Sequence, residues 1–282
     1  MSTTTALFTE ADIEAGLSLC RSNAWNQVES DWRLLLNVSA AGCRVIKHED
    51  QVIGSVSTIS YNHFFSWVGM LLVDPAFQRR GIGTQLLNTA LEILSKEETI
   101  KLDATPAGRE LYLQLNFTDE YTLMRMQAAT PLIAEADNRL VKPMNENFLS
   151  LISETDQLVF GADRKLLLQG FRDGAPEYAM VVEEKGKIVG YCLGRKGYSF
   201  DQIGPVIADD IAIAKHLATA AFRNVKGKPV IIDALLHNED WVHWLKKMGF
   251  TDQRPFIRMY KGLNRHPGEP RKQYAIAGPE FG

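Results

Sequence analysis

The sequence predicts a mixed α/β fold that is built twice in tandem, with a helix-flanked sheet in each copy. Three observations support this prediction. The chain has 282 residues, which exceeds the usual size of one domain. An apolar run, Val68 to Val73, precedes a basic, glycine-rich hexapeptide and then apolar periodicity from Ile82 to Leu94, which is the order of a strand, a turn and a helix. Several short segments of the first half also recur in the second half, in the same order.

The hexapeptide Gln78-Arg79-Arg80-Gly81-Ile82-Gly83 predicts an anion-binding turn. The start of a helix leaves backbone N–H groups unpaired, and with the helix dipole they favour an anion such as pyrophosphate. Gly81 and Gly83 have no Cβ, so a ligand can approach the backbone closely. Arg79 and Arg80 add two positive charges that suit a polyphosphate.

The spacing of the turn excludes two common phosphate-binding loops. The chain has no Gly-x-x-x-x-Gly-Lys-Ser/Thr run, and Leu86 stands where a dinucleotide fingerprint needs its third glycine. The remaining pattern, Gln/Arg-x-x-Gly-x-Gly after a strand, resembles the acetyl-CoA pyrophosphate loop of the GCN5-related N-acetyltransferase (GNAT) superfamily. On the motif alone, an ordinary helix start with a basic first turn stays open as the alternative.

The segments around the turn strengthen this resemblance. The run Trp67 to Pro75 resembles the family's fourth strand, and Ile100 to Ala104 predicts a further short strand. Pro106 suits the first position of a helix that runs to about Leu115. The end of that helix, from Tyr112 to Asn116-Phe117, resembles the family's Tyr-x-x-x-Gly-Phe segment. Asn replaces the glycine, and Asn tolerates the left-handed conformation that a helix end often needs.

The internal repeat predicts two domains of this kind. Gly54 and Phe117 are 117 − 54 = 63 positions apart, and their counterparts Gly190 and Phe250 are 250 − 190 = 60 apart. Four matched pairs carry the repeat: Val52-Ile53-Gly54 with Ile188-Val189-Gly190, Gly69-Met70-Leu71-Leu72-Val73 with Gly204-Pro205-Val206-Ile207-Ala208, Leu115 to Thr118 with Met248 to Thr251, and Leu123 to Met126 with Phe256 to Met259. We expect an N-terminal domain over residues 1–130 and a C-terminal domain with a tail over residues 131–282, joined near Ala128 to Asn138.

The second copy lacks the groups that carry the chemistry. Asp209-Asp210 follows Ala208 where the first copy has its basic turn, and two carboxylates would repel pyrophosphate. Asp is a good N-cap, so the helix from Ile211 to Phe222 can still form. Leu245 stands where the first copy has Tyr112. We therefore expect the first domain to be catalytic and the second to be degenerate. The alternative that the second domain binds an unrelated ligand stays open.

The resemblance implies an acetyl-CoA-dependent N-acetyltransferase that acts on a primary amine of a small molecule or peptide, with a mixed, mostly antiparallel twisted sheet in each domain. It implies that Leu71, Leu72 and Val73 pair with the pantetheine arm and that the backbone of Gln78 to Gly83 holds the pyrophosphate, with Thr84 just inside the helix. It also implies that Tyr112 is the general acid for the departing thiolate, although a merely packed aromatic stays open. The family's fourth-strand glutamate is missing here, so we assign no general base. A non-catalytic sensor that binds CoA or another ligand is the alternative function.

The acceptor site is expected between Ala11 and Leu36, the segment that walls this site in the family. Helices are predicted over Asp12 to Cys20 and over Glu29 to Asn37. The candidate acceptor-binding residues are Trp25, Asn26, Asp31, Trp32 and, at the end of the fifth strand, Asp103. The alternative is that both tryptophans belong to the core and that Asp31 lies on a solvated face.

Composition limits the remaining classes of protein. The net charge of −3 gives no drive toward nucleic acid or an anionic membrane, and no basic, apolar leader or apolar stretch of about 18 residues is present. Cys20, Cys43 and Cys192 are expected to be reduced and buried, which favours a cytoplasmic protein. The protein is expected to be a monomer or a homodimer. No Cys/His cluster has metal-ligand spacing, so no metal is expected. The apolar residues of the tail, Asn264 to Gly282, predict that it docks near the cleft between the domains.

Overall fold

The fold is described from a computed structural model that covers residues 2–133 and 140–282. The first half, residues 2–133, contains β1 (Thr4–Leu7), α1 (Ile13–Ser22), α2 (Glu29–Ser39), β2 (Arg44–His48), β3 (Gln51–Tyr61), β4 (Phe65–Val73), α3 (Ile82–Ile93), β5 (Thr99–Ala104), α4 (Pro106–Gln114) and β6 (Thr118–Ala128). The second half, residues 140–282, contains β7 (Val141–Pro143), α5 (Glu146–Phe160), α6 (Lys165–Gly174), β8 (Met180–Glu184), β9 (Lys187–Arg195), β10 (Asp201–Ala208), α7 (Ile211–Phe222), β11 (Val230–Leu235), α8 (Glu239–Lys247), β12 (Thr251–Gly262) and β13 (Gln273–Ala275).

The strands of the two halves join into one sheet. Within the described residues the strand order is β1-β2-β3-β4-β5-β12-β6-β11-β13-β10-β9-β8-β7. The halves exchange a strand, because β12 of the second half pairs with β5 and β6 of the first half pairs with β11. Most neighbouring strands are antiparallel, and the mixed α/β fold with a mostly antiparallel, helix-flanked sheet is confirmed.

Two buried ion pairs mark the exchanged strands. Arg258 of β12 donates two hydrogen bonds of 2.8 Å to Asp103 of β5. Arg125 of β6 donates two of 2.7 Å to Asp233 of β11. Each arginine therefore reaches from a strand of one half to a carboxylate on a strand of the other, and the two pairs are related by the repeat.

Helices cover both faces of the first half of the sheet. Trp67, Met70 and Leu72 of β4 pack with residues of α1 and α2 in one core, and this side is called the α1–α2 face. Val68 of β4 and Tyr112 of α4 pack with residues of α3 in another core, on the α3–α4 face. Side chains of β4 alternate between the two faces with the two-residue period of a strand, except at the register shift near Met70, which puts Trp67 and Met70 on the same face.

Each half has a gap where two parallel strands diverge. In the first half, β4 and β5 pair only at Ser66 with Ile100 and at Trp67 with Lys101, and beyond this point lies the first gap. In the second half, β10 and β11 pair only at two positions near their starts, and beyond them lies the second gap. The short strand β13 fills the second gap, where it pairs with both β10 and β11.

The repeat positions adopt matching conformations. Asn116 and Gly249, which follow α4 and α8, have φ values of 63° and 90°, so the replacement of glycine by Asn keeps the left-handed helix end. Gly69 and Gly204 both lie at register irregularities of their strands, in β4 and β10. The predicted boundary at residues 130 and 131 stays a prediction, and the predicted join, Ala128 to Asn138, includes residues outside the described part of the chain.

Other sequence predictions concern individual residues. The three cysteines are free and buried, as expected. None of the described helices is long and apolar enough to span a membrane.

Candidate active site

The glycine-rich turn joins β4 to α3 and contains residues in the left-handed backbone conformation, which residues other than glycine seldom adopt. Asp74 begins the turn and shapes it, because its Oδ1 accepts a hydrogen bond of 2.8 Å from the backbone N–H of Ala76. Arg79 has a φ of 59° and Gly81 a φ of 82°, and α3 begins at Ile82. Glycine adopts this left-handed region at little cost, so Gly81 fits the sharp entry into the helix.

The turn leaves an open cradle over its backbone. A Cβ placed on Gly81 would meet nothing within 4 Å, and one on Gly83 would meet only Val73 Cγ2 at 3.8 Å. Within the described residues, no protein oxygen accepts the backbone N–H groups from Arg79 to Thr84. The side chains of Arg79 and Arg80 are exposed beside these donors. Unpaired donors, a helix N-terminus and two arginines fit the pyrophosphate of a CoA molecule.

The turn is tied to the helix pair on the other face. Gln78 Nε2 donates to Asn23 Oδ1 at 3.2 Å and to the Val73 carbonyl oxygen at 3.3 Å. Asn23 Nδ2 also donates to Val73, at 3.1 Å. The Gln78 side chain therefore fixes the turn against the residues that follow α1.

The end of β4 offers a free backbone edge. Met70 has a φ of 49°, and the register to β3 shifts between Ser55 and Ser57, so β4 carries a bulge here. Past Trp67, no strand of the described residues pairs with β4 on the side of β5. This edge includes Leu71, Leu72 and Val73. The Val73 carbonyl oxygen already accepts from Gln78 and Asn23, but the other outward-facing backbone groups of the edge can pair with an extended ligand.

Tyr112 lies on the α3–α4 face, in the core that also contains Ile82 of α3. The ring packs edge-to-face on Phe117, with 5.8 Å between the centroids. Burial raises the pKa of Tyr112 to about 12, and no group among the described residues hydrogen-bonds its hydroxyl. The side chain therefore keeps its proton at neutral pH and has a donor to offer to a ligand.

The candidate residues for the acceptor are engaged elsewhere. Trp32 is fully buried and stacks on Phe8 with 4.4 Å between the ring centroids. Asp31 Oδ1 accepts from Arg195 Nη1 at 2.7 Å, and its Oδ2 caps the backbone of Val28 at 2.8 Å. Trp32 therefore belongs to the core, the alternative left open from the sequence, whereas Asp31 meets an arginine of the second half instead of solvent. Acceptor binding by either residue stays a prediction.

Asn26 and Trp25 hold the connection between α1 and α2. Asn26 Nδ2 donates to the Phe200 carbonyl oxygen at 2.9 Å, and its Oδ1 accepts from the backbone of Ser199 and Phe200. Trp25 is half-buried, and its carbonyl oxygen accepts from Arg21 at 2.8 Å. Both residues position this connection against the second half, and direct binding of the acceptor stays a prediction.

Asp103 points to the α1–α2 face, away from Tyr112. Its side chain has no exposed area, and its two oxygens bind Arg258. The sequence offered it as a candidate for acceptor binding at the end of the fifth strand, and in the structure it neutralises a buried arginine of the exchanged strand. Direct contact with the acceptor again stays a prediction.

The end of the chain packs against the same face. The last part of the tail, residues 276–282, is buried throughout, as its apolar side chains predicted, whereas residues 264–272 are exposed or half-buried. Trp67 Nε1 donates to the Pro279 carbonyl oxygen at 2.9 Å, and Tyr61 donates to that of Phe281 at 2.7 Å. Gln27 Nε2 donates to Glu280 Oε1 at 2.8 Å, and Arg195 also binds this oxygen. The sequence analysis expected the tail to dock but did not single out Gln27, Glu280 or Arg195, whose partners are far apart in sequence.

The second half is built differently at the matching places. Asp210 caps α7, and its Oδ1 accepts from the backbone of Ile213 at 2.9 Å, as expected. The strand β13 occupies the second gap, and a Cβ on Gly204 would collide with the Ile276 carbonyl oxygen. No empty backbone edge is left between β10 and β11, so this half keeps the fold without the open slot.

Comparison with known proteins agrees with this architecture. A model of the acetyltransferase (GNAT) family matches residues 11–117, and one of the acetyltransferase (GNAT) domain matches residues 152–275. The chain is 26% identical over 259 residues to holothin acyltransferase of Pseudoalteromonas sp. (strain SANK 73390), covering 92% of this chain and 87% of that protein. It is 24% identical over 280 residues to the uncharacterized N-acetyltransferase YitH of Bacillus subtilis (strain 168), covering 97% and 96%. A solved structure from Pyrococcus horikoshii, provisionally named an acetyltransferase, superposes with a TM-score of 0.83 at 26% identity, covering 99% of this chain and 96% of that one.

The chain therefore belongs to the GNAT superfamily, with two GNAT domains in tandem. It is an acyltransferase of the N-acetyltransferase type.

Proposed function

We propose that this protein transfers the acetyl group of acetyl-CoA to a primary amine of a small molecule or peptide, and that the first half performs the reaction. One contrast carries the proposal. The first half combines an open glycine turn with an unpaired edge of β4, whereas β13 fills the equivalent gap of the second half.

The donor would be held by backbone and arginine groups. The N–H groups from Arg79 to Thr84 and the side chains of Arg79 and Arg80 suit the pyrophosphate. The free edge of β4 from Leu71 to Val73 suits the amide groups of the pantetheine arm. Bound acetyl-CoA would supply an activated thioester.

Tyr112 is proposed as the acid. As the amine nitrogen forms its bond to the acyl carbon and the carbon–sulfur bond breaks, the tyrosine hydroxyl gives its proton to the sulfur. The amine nitrogen releases a proton to solvent, and the tyrosinate takes up a proton from solvent, which restores the neutral tyrosine. β4 carries no carboxylate, so no side chain of this strand is assigned as a base.

A matched pair of glycine variants tests the proposal. Gly81 and Gly186 have φ values of 82° and 77°, and a Cβ on either meets nothing within 4 Å. Gly81→Val and Gly186→Val therefore carry the same backbone strain, but only the first covers the proposed cradle. The readout is thiol release from acetyl-CoA over a panel of amines, with the melting temperature of each variant measured in parallel.

The expected result is turnover by the wild type and by Gly186→Val, and its loss in Gly81→Val at a similar melting temperature. Equal activity of the two variants would overturn the assignment of the turn. Binding of acetyl-CoA without turnover on any amine would instead support a non-catalytic sensor.

A further inference from the structure

A small pocket lies where the two halves meet on the α1–α2 face. It has a volume of about 240 Å³. Its walls come from the α1–α2 connection, from β6, from the loop before β10 and from the start of β12, through Ala24, Asn26, Arg125, Phe200, Gln253 and Arg254. None of these residues belongs to the proposed donor site.

The pocket lies at the mouth of the first gap. Ile257 of β12 is paired with Ala104, the last residue of β5, so Arg254 lies three residues beyond the end of that strand. On the opposite side, Ala24 follows Asn23, whose side chain donates to Val73 at the end of β4. The pocket thus spans the ends of the two strands between which the thioester would lie, on the face opposite Tyr112.

One arginine in this pocket has no carboxylate partner of its own. Arg254 is paired in register with Arg125, and Arg125 already binds both oxygens of Asp233. Gln202 occupies Asp233 Oδ2 as well, at 2.8 Å. Within the described residues, Arg254 forms no ion pair, and its buried Nε has no hydrogen-bond partner. Burial, and then the charge of Arg125, lowers the pKa of Arg254, and the nearby charge of Asp233 offsets this only in part.

The repeat shows that this arginine breaks the symmetry of the two halves. Because Leu123 corresponds to Phe256, Tyr121 corresponds to Arg254. Tyr121 accepts a hydrogen bond of 2.7 Å from Arg258 and lies beyond the end of β11, beside the second gap that β13 fills. Of the two positions related by the repeat, only the one at the mouth of the open gap therefore holds an arginine without an ion pair, Arg254.

We propose that Arg254 binds a carboxylate of the acceptor, so that the substrate is an amine that also carries a carboxylate group, such as a small amino acid. A guanidinium matches a carboxylate in shape and charge, and the guanidinium of Arg254, which forms no ion pair among the described residues, can accommodate one carboxylate. A volume of about 240 Å³ suits an acceptor of this size. Arg254 would act as a specificity-determining residue that orients the amine toward the gap.

The test compares acceptors that differ only in this group. Amino acids and their primary amides are assayed with the wild type, Arg254→Gln, Arg254→Lys and, as a control, Arg271→Gln, which changes an exposed arginine of the second half. We expect Arg254→Gln to lower kcat/KM for the acids at least 10-fold and to change that for the amides less than 2-fold. Arg254→Lys should keep part of the preference for acids over amides, and Arg271→Gln should change kcat/KM for neither group of acceptors.

Because this inference rests on the proposed transfer reaction, binding is measured as well. The thermal shift caused by each acceptor in the presence of CoA should be larger for acids than for amides, and Arg254→Gln should remove the difference. An equal loss for acids and amides, a wild-type preference for amides, or an increase in the KM for acetyl-CoA would overturn the role of Arg254. A carboxylate-dependent shift without any turnover would instead leave the role of Arg254 standing and contradict the transfer reaction.

Discussion

The backbone of Glu280 lies against Gly69 of β4, and a Cβ on Gly69 would come within 2.8 Å of the Glu280 carbonyl oxygen. Gly69 immediately precedes the bulge at Met70. The tail therefore packs on the strand that is proposed to hold the thioester, and this close approach requires a residue without a side chain.

Gly69→Ala is expected to destabilise the protein by roughly 1–3 kcal/mol, because the added methyl group would collide with backbone rather than with a side chain that can move. The control is Gly174→Ala, since a Cβ on Gly174 meets nothing within 4 Å. Chemical unfolding of both variants gives the comparison. Equal stability of the two would mean that the tail does not press on Gly69.

Tyr112→Phe is expected to lower kcat by roughly 10²–10⁴-fold, the usual contribution of a positioned proton donor, with little change in the KM for acetyl-CoA. The ring stays packed on Phe117, so folding should be preserved. Tyr198→Phe serves as the control, because Tyr198 is 60% exposed. If the wild type and Tyr112→Phe turned over at the same rate, Tyr112 would be only a packed aromatic.

The pH dependence follows from the raised pKa of Tyr112, which is about 12. A raised pKa means that the folded protein keeps this proton beyond the ordinary value of about 10. We therefore expect no fall in kcat from loss of the acid between pH 7 and 10. A fall in kcat between pH 7 and 10 that is absent in Tyr112→Phe would show that the pKa of Tyr112 is not raised. The same shift predicts that folding loses stability as the pH rises from about 10 toward 12.

Asp103→Asn tests whether Asp103 is structural or binds the acceptor. The change leaves Arg258 buried without its anion, and breaking such a pair costs about 3–5 kcal/mol. Asp252→Asn is the control, because the Lys246–Asp252 pair is exposed and worth at most about 1 kcal/mol. A variant of unchanged stability with a raised KM for the amine would show instead that Asp103 contacts the acceptor.

Local rules predicted the turn and its helix ends from the sequence. Asn116 adopts the expected left-handed conformation and Asp210 forms the expected cap, because each depends on residues a few positions away. The repeat predicted two related units, because matching segments keep their spacing.

The environment of the candidate acceptor residues could not be predicted in this way. Asp31 is 164 positions from Arg195 and Asp103 is 155 positions from Arg258. The Asp103–Arg258 contact arises because the halves exchange strands, and the Asp31–Arg195 contact because α2 lies against the second half; no local pattern specifies either arrangement. An acidic residue near a predicted cleft therefore suggested a ligand contact where the fold supplies an arginine.

The second gap was also hidden from the sequence. The pair Asp209-Asp210 predicted that the second half does not bind CoA, but the occupation of its gap by β13 depends on the pairing of Ala275 with Val206 and Ala234. The structure thus adds a steric reason to the electrostatic one.

The number of acetyl-CoA molecules bound by each chain tests the central claim most directly. Calorimetric titration of the wild type should give one site per chain, which Gly81→Val removes and Gly186→Val retains. Two sites per chain, or a single site that survives Gly81→Val, would contradict the assignment of the donor site to the first half.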